Sequence, residues 1–291
     1  WTESELGPVS TTNAHVDGID VDQDDSVLST RLGNFTQISL KEVQLSHSLQ
    51  SSNTVGNVGT LSYQVMQNQK RLRRDVEAQM LTHQGSAAGD GATVKGISAG
   101  LGAQLKSNVS VGDTGVVGGF NTSTGLFVAP TPGTKRALSE TLIRDILQDI
   151  YVAGGNTRSL HARPVVIRAL SEYLFKDTAR VATLTAEQSQ NSPRALTAYG
   201  SVNVFVTDFG QTVKMEDNRL MAEDAAATST MYFLDPSHIT QSFLRGYQVE
   251  PLAKTGLSDK RLMSCEYSLK CYSEKSQGAI MAIDEALAVV A

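Results

Sequence analysis

Along residues 263–271 apolar and polar positions alternate without a break. Met263, Cys265, Tyr267, Leu269 and Cys271 take one side; Ser264, Glu266, Ser268 and Lys270 take the other. A period of two predicts a strand with one face buried. Upstream, GYQVEPL (246–252) reads as its partner strand, and AKTGLSDK (253–260) lies between the two, with Gly256, Ser258 and Asp259 supplying turn chemistry. Elsewhere the period is helical. Leu138, Leu142, Ile143, Ile146, Leu147 and Ile150 share one face of a helix predicted over 135–153, with Thr134 as its cap and Gly154–Gly155 as its stop. A second helix is predicted after Pro164, through VVIRALSEYLF, and SVNVFVTDFG (201–210) predicts a strand with Val202, Val204 and Val206 on one face.

The stretch from Thr60 to Gln84 contains no Gly or Pro. Leu61, Val65, Leu72, Val76 and Met80 form a thin apolar stripe at helical spacing, Gln69 falls in its gap, and Gly85 is a stop signal. So narrow a stripe suits a long helix lying across a sheet. Residues 1–57 are rich in Ser, Thr, Asn, Asp and Gly and read as an extended arm and a long loop, with strand character in FTQISLKEVQLSHSL (35–49). Residues 85–134 read as turns with short strands between them. Helix gives way to strand without a regular βαβ rhythm, so the expected class is α+β.

Composition narrows the function. A chain of 291 residues, 40% hydrophobic and 19% charged, makes one large or two modest domains with a real core. The apolar runs are too short to span a bilayer. A net charge of −5 argues against a general affinity for nucleic acid. Two cysteines, Cys265 and Cys271, make no disulfide framework and fit an intracellular origin. Six residues of strand hold them roughly 20 Å apart, so they read as core thiols. The chain opens at Trp1 rather than methionine, as after trimming or at a chosen boundary.

Each candidate chemistry fails on spacing. Lys254, Thr255 and Gly256 resemble a phosphate-loop ending, but Ala253 and Gln248 occupy the two required glycine positions, so the segment reads as a turn. In DGIDVDQDDS (17–26), Asp20, Asp22 and Asp24 fit the first calcium-loop positions; Asp25 then replaces the turn glycine and Arg31 the final glutamate. The segment reads as a solvated acidic loop. The five histidines are scattered, with no zinc spacing. The glycines of 89–102 neither follow an apolar strand nor open a strong helix, so a dinucleotide site is weakly supported. A Cys–His pair assembled only in the fold stays open. The basic cluster Lys70, Arg71, Arg73 and Arg74 has no interleaved aromatics and is followed by Asp75 and Glu77, which suits salt bridges to neighbouring chains better than nucleic acid. No catalytic, cofactor-binding or metal-binding residue is assigned, and the expected work is done by surfaces.

The order of elements resembles the major capsid proteins of tailed bacteriophages, with their HK97-like fold. The resemblance rests on NFTQISLKEVQLSHSLQ (34–50) running into QVMQNQKRLRRDVEAQML (64–81), on VNVFVTDFGQTVKMEDNRLM (202–221), and on FLRGYQVEPLAKTGLSDKRLMSCEYSLKCYSEKSQGAI (243–280) with its Lys-Thr-Gly turn. It implies an N-terminal arm and extended β-loop (1–57), a peripheral domain (58–129 with 246–291) whose spine helix is 60–84, and an axial domain (130–245). It implies a non-enzymatic shell subunit that forms pentamers and hexamers of an icosahedral head around double-stranded DNA. Its partners would be its own copies, with portal, scaffolding and decoration proteins. The packaged DNA would be touched without sequence specificity and no membrane would be involved. Assembly would take place in the host cytoplasm, and the final location would be the virion. Phe35, Gln37, Lys70, Arg71, Arg73, Arg74, Asp75 and Glu77 are the expected inter-subunit contacts. The rival expectations are an encapsulin-type nanocompartment shell, a minor virion protein, and a soluble enzyme whose site forms only in the fold.

Overall fold

A computed structural model describes residues 1–4, 9–12, 14–18, 26, 29–52, 56, 60–176, 204–221, 228–287 and 289–290. Asp20, Asp22, Asp24 and Asp25 of the acidic loop and Val202 of the predicted valine face lie outside the described residues. Near the start, β1 (Thr2–Glu3) pairs antiparallel with β2 (Thr30–Arg31). A ten-residue β3 (Gln37–Ser46) runs into the short α1 (His47–Ser51), and the twenty-residue α2 (Leu61–Met80) follows. Next come α3 (Leu101–Gln104), β4 (Val109–Ser110) and a small hairpin of β5 (Gly119–Asn121) and β6 (Leu126–Val128). The helices α4 (Glu140–Val152) and α5 (Pro164–Lys176) flank β7 (Ser159–Ala162). The remaining strands are β8 (Val204–Val206), β9 (Thr212–Asp217), β10 (Ser229–Leu234), β11 (Ile239–Pro251), β12 (Ser258–Cys271) and β13 (Gly278–Ile283).

Two sheets organise the chain, a mixed helix-and-sheet architecture as expected. The larger has the order β4-β13-β10-β7-β9-β8; its central strands β13 and β10 are covered on both faces, while β9 and β8 turn one side to solvent. One face packs Met231, Phe233 and Ile280 against Ile143, Ile146, Leu147 and Ile150 of α4 and Val166 and Leu170 of α5. The other packs Tyr232, Ala279 and Met281 against Leu101, Leu105 and Leu269, with Met80 and Leu81 at the margin. A bulge in β13 makes this possible. The pairing with β10 steps from Ser229↔Ile283 to Met231↔Ile280, and Ala282 sits at φ 61°. The extra residue brings Ile280 and Ile283 to the same face.

The smaller sheet has the order β11-β12-β3. Its central strand is the alternating segment read from the sequence: Met263, Cys265, Tyr267, Leu269 and Cys271 are all buried. Both thiols are free, and burial raises both pKa values, that of Cys271 to about 12. The partner strand at 246–252 forms as the end of a longer β11. The other partner, β3, comes from more than 200 residues away, pairing from Tyr267↔Gln37 to Ser258↔Ser46.

Two local expectations are corrected. The long helix ends at Met80, not Gln84, because the Thr82 hydroxyl donates to the Gln79 carbonyl at 2.7 Å and the Tyr232 hydroxyl to the Leu81 carbonyl at 3.1 Å. Helix α4 begins at Glu140, capped by Ser139, whose Oγ accepts from the Leu142 N–H at 3.2 Å; Thr134 is not the cap. Residues 136–139 are held extended instead, with Arg136 N–H donating to the Ala282 carbonyl and Val290 N–H to the Leu138 carbonyl, each at 2.9 Å. In β8, Val204 and Val206 share one face as read; that face meets solvent, and Phe205 points inward to join Val213 and Met215. The stop after α4 is as read: Gly154, at φ 86°, adopts the left-handed conformation that closes a helix. Pro164 opens α5, where its missing N–H is not needed.

Candidate interaction surface

Helix α2 lies across the inner face of the small sheet. Leu72 and Val76 are buried against Val43, Met263, Cys265 and Tyr267, with Leu61, Val65 and Met80 partly covered. Each fully buried side chain contributes roughly 1.5–3 kcal/mol. The Tyr267 hydroxyl donates to Gln79 Oε1 at 3.1 Å and locks the helix end to β12. The stripe is narrow, so most of the helix surface remains polar and points away from the sheet.

The charged residues divide into engaged and free. Asp75 pairs with Lys41 of β3 at 2.6 Å. Glu77 accepts from the Asn218 amide at 2.9 Å, which ties α2 to the end of β9. The Arg73 guanidinium stands over the Tyr247 ring, 5.2 Å from its centroid. Lys70, Arg71 and Arg74 are exposed and have no partner among the described residues. Arg74 and Glu77, with Asp217, Asn218 and Arg219, line a groove of about 530 Å3.

Gln37 is used internally: its Oε1 accepts from the Ser98 N–H and the Gln84 amide, both at 3.2 Å. Phe35 is exposed and lines a second groove, of about 490 Å3, with Ile38, Glu266 and the 89–96 loop. Asp90 shapes that loop. Its carboxylate accepts from the Ala92, Thr93 and Val94 N–H groups at 2.7–2.8 Å and from the Thr93 hydroxyl at 2.6 Å. These bonds, led by that from the Thr93 hydroxyl, hold its carboxyl well below the usual carboxylate range.

The outer face of the small sheet is open. Ile38 and Leu40 are 53% and 57% exposed, and both outer strands, β3 and β11, carry edges unpaired among the described residues. Lys254, Thr255 and Gly256 lie in the turn between β11 and β12. Lys254 pairs with Asp259 at 2.9 Å, and the Leu257 carbonyl accepts from His47 N–H at 3.1 Å, seating α1 on the tip.

A set of buried and half-buried amides joining the two sheets went unread in the sequence. Gln104 donates to the Ala99 and Leu269 carbonyls and accepts from Cys271 N–H at 3.0 Å. Asn34 donates to the Leu269 carbonyl at 2.9 Å and accepts from Ala99 N–H at 2.9 Å. His83 joins the same junction through Thr230, at 2.9 Å. Most of these partners lie tens to hundreds of residues apart, so no local spacing announces them. Among the described residues no group of three metal-ligating side chains forms, and no helix is long and apolar enough to cross a membrane.

Comparisons with known proteins converge. The family model of the SU10 major capsid protein matches residues 1–284. The major capsid protein of Escherichia phage Phieco32 is 24% identical, over 96% of this chain and 84% of its own length. Among solved structures, the SrpI encapsulin complex of Synechococcus elongatus superposes with a TM-score of 0.53 at 11% identity, covering 99% of this chain and 83% of its own. A structure from Mycobacterium phage Che8 gives 0.53 at 12% identity, covering 98% and 84%. The capsid of cyanophage P-SCSP1u gives 0.51 at 9% identity, covering 100% and 82%. The fold is HK97-like.

Proposed function

Since the chain belongs to the SU10 major capsid protein family, we propose that its copies close, through pentamers and hexamers, into an icosahedral head shell around double-stranded DNA. It is a phage major capsid protein, a structural component of the virion that self-assembles. The observation that carries the finer reading is the half-covered small sheet. Among the described residues a lone subunit leaves Ile38, Leu40 and two long strand edges open, a liability unless a neighbour covers them. Contacts that are individually weak then suffice, because each copy makes many of them in a closed arrangement.

In this reading residues 1–57 form the arm and extended loop, 58–129 with 246–291 the peripheral domain, and 130–245 the axial domain. Phe35 and the free cations of α2 face neighbouring copies. The subunit carries no catalysis. Its net charge of −5 keeps the packaged DNA from clinging to the wall. Assembly takes place in the host cytoplasm, with portal, scaffolding and decoration proteins as further partners. The encapsulin neighbour supports a second reading, a shell around protein cargo, on fold alone.

The test is to express the chain with its scaffolding factors. Particle mass is then measured by light scattering after size exclusion, and the leading fraction is imaged by negative-stain microscopy. Uniform hollow shells or capsomers are expected. A monomer under all such conditions overturns the reading, and protein cargo in place of nucleic acid in native particles favours the encapsulin alternative.

A further inference from the structure

Two helices of the subunit carry charge that the folded chain leaves unbalanced. On α2, Lys70, Arg71 and Arg74 stand at i, i+3 and i, i+4 spacings, where like charges repel. Of the acids near them, Asp75 is paired with Lys41, while Glu77, hydrogen-bonded to the neutral Asn218 amide, and Asp217 keep their charge and share a groove with Arg74. On α4 the signs are reversed. Asp145 and Asp149 are exposed, one helical turn apart, with no partner among the described residues. The one cation of α4, Arg144, is held by Glu140 at 2.6 Å and Asp208 at 3.2 Å. Asp149 also lies in the last turn, at the negative end of the helix dipole, where an acid is unfavourable.

Among the described residues each helix therefore carries a stripe with an excess of one sign of charge, and the stripes match. Residues four apart on a helix are separated by about 6 Å along its axis, so Lys70 and Arg74 repeat at the spacing of Asp145 and Asp149. The described chain does not bring the two stripes together, which leaves a second copy to do so.

From this geometry we infer that the Lys70–Arg71–Arg74 ridge of one copy docks on the Asp145–Asp149 edge of the next. The contact is heterologous: a different surface is used on each side, so it propagates around a ring. It rests on the shell reading and adds to it the partner surface for the basic ridge. Being exposed and charged, it governs the rate and salt dependence of assembly more than the final stability.

The test is a charge swap in the full chain. K70E/R74E and D145K/D149K each reverse one side, and a third protein carries both pairs. D145N/D149N is the milder variant in case the lysines disturb α4. Folding is checked by circular dichroism and denaturation, assembly by light scattering at low and high salt, and nucleic-acid content by absorbance. Each one-sided reversal is expected to slow assembly at low salt at least tenfold, and the double reversal to restore the rate to within about twofold of wild type. The inference is overturned if folded one-sided variants, including D145N/D149N, assemble like wild type, or if the folded double reversal is as defective as either single one. Normal assembly of K70E/R74E with reduced nucleic acid would also overturn it, since the ridge would then face DNA. Wild type that never assembles would sink the shell reading itself and this contact with it.

Discussion

The two sheets of this subunit meet opposite demands. The six-stranded sheet is sealed at its centre: α4 and α5 cover one face, and α3, the end of α2 and Leu269 cover the other, so β13 is buried along its whole length and only β8 and β9 show one side to solvent. The three-stranded sheet has longer strands and more backbone pairing, yet α2 covers only its inner face and its outer face meets solvent. The first completes its own core within one chain. The second is finished only when another surface covers it, which is what a subunit must offer if it is to fold alone and then assemble.

The sharpest way to break this contrast is to damage the sealed sheet. Phe233→Ala removes a ring with no exposed surface and is expected to destabilise the subunit by about 3–5 kcal/mol in chemical denaturation, so that little folded protein accumulates. Leu72→Ala loosens α2 from the small sheet. The expected loss is roughly 2–3 kcal/mol, at the low end for a buried leucine, because partly exposed neighbours such as Leu61 and Val65 can settle into the space. A larger drop than for Phe233→Ala would reverse the ranking of the two cores.

Replacing Ile38 and Leu40 together by serine should leave the isolated subunit within about 0.5 kcal/mol of wild type. The same pair should lower the yield of assembled particles seen by light scattering; a marked loss of subunit stability would mean that the outer face is already occupied. The smallest effect is expected at His161, on the sealed sheet beside Glu216 and Lys214, with Glu77 also within electrostatic reach. Burial lowers its pKa from the ordinary 6.5, with Glu216 opposing. The unfolded chain therefore binds the proton more readily, and stability present above pH 6.5 declines as pH falls toward the folded value. His161→Gln should flatten that part of the stability–pH curve; an unchanged slope would assign it to other groups.

What could be read from the sequence follows from how local each cause is. The buried faces of α4 and β12 are written in their own periodicity, so Ile143, Ile150, Met263 and Tyr267 fell where expected. The start of α4 did not, because its fate depends on Ala282 and Val290, more than a hundred residues on. The alternation of β8 was legible, but not which face is inside: on this edge strand Val204 and Val206 take the solvent side and Phe205 the interior. The charged cluster of α2 was visible as a cluster, but its division was not. Lys41, Tyr247 and Asn218 decide which members are engaged, and none of them lies nearby in sequence.

The pairing of β1 with β2 has a mechanical consequence. Trp1 stacks near Phe127 at 6.2 Å, its backbone nitrogen donates to the Leu32 carbonyl at 3.1 Å, and Glu3 is opposite Thr30. Glu3 and Thr30 are thus held side by side although 26 residues separate them in sequence. A single cut between them would leave each new end still paired to the other through β1 and β2.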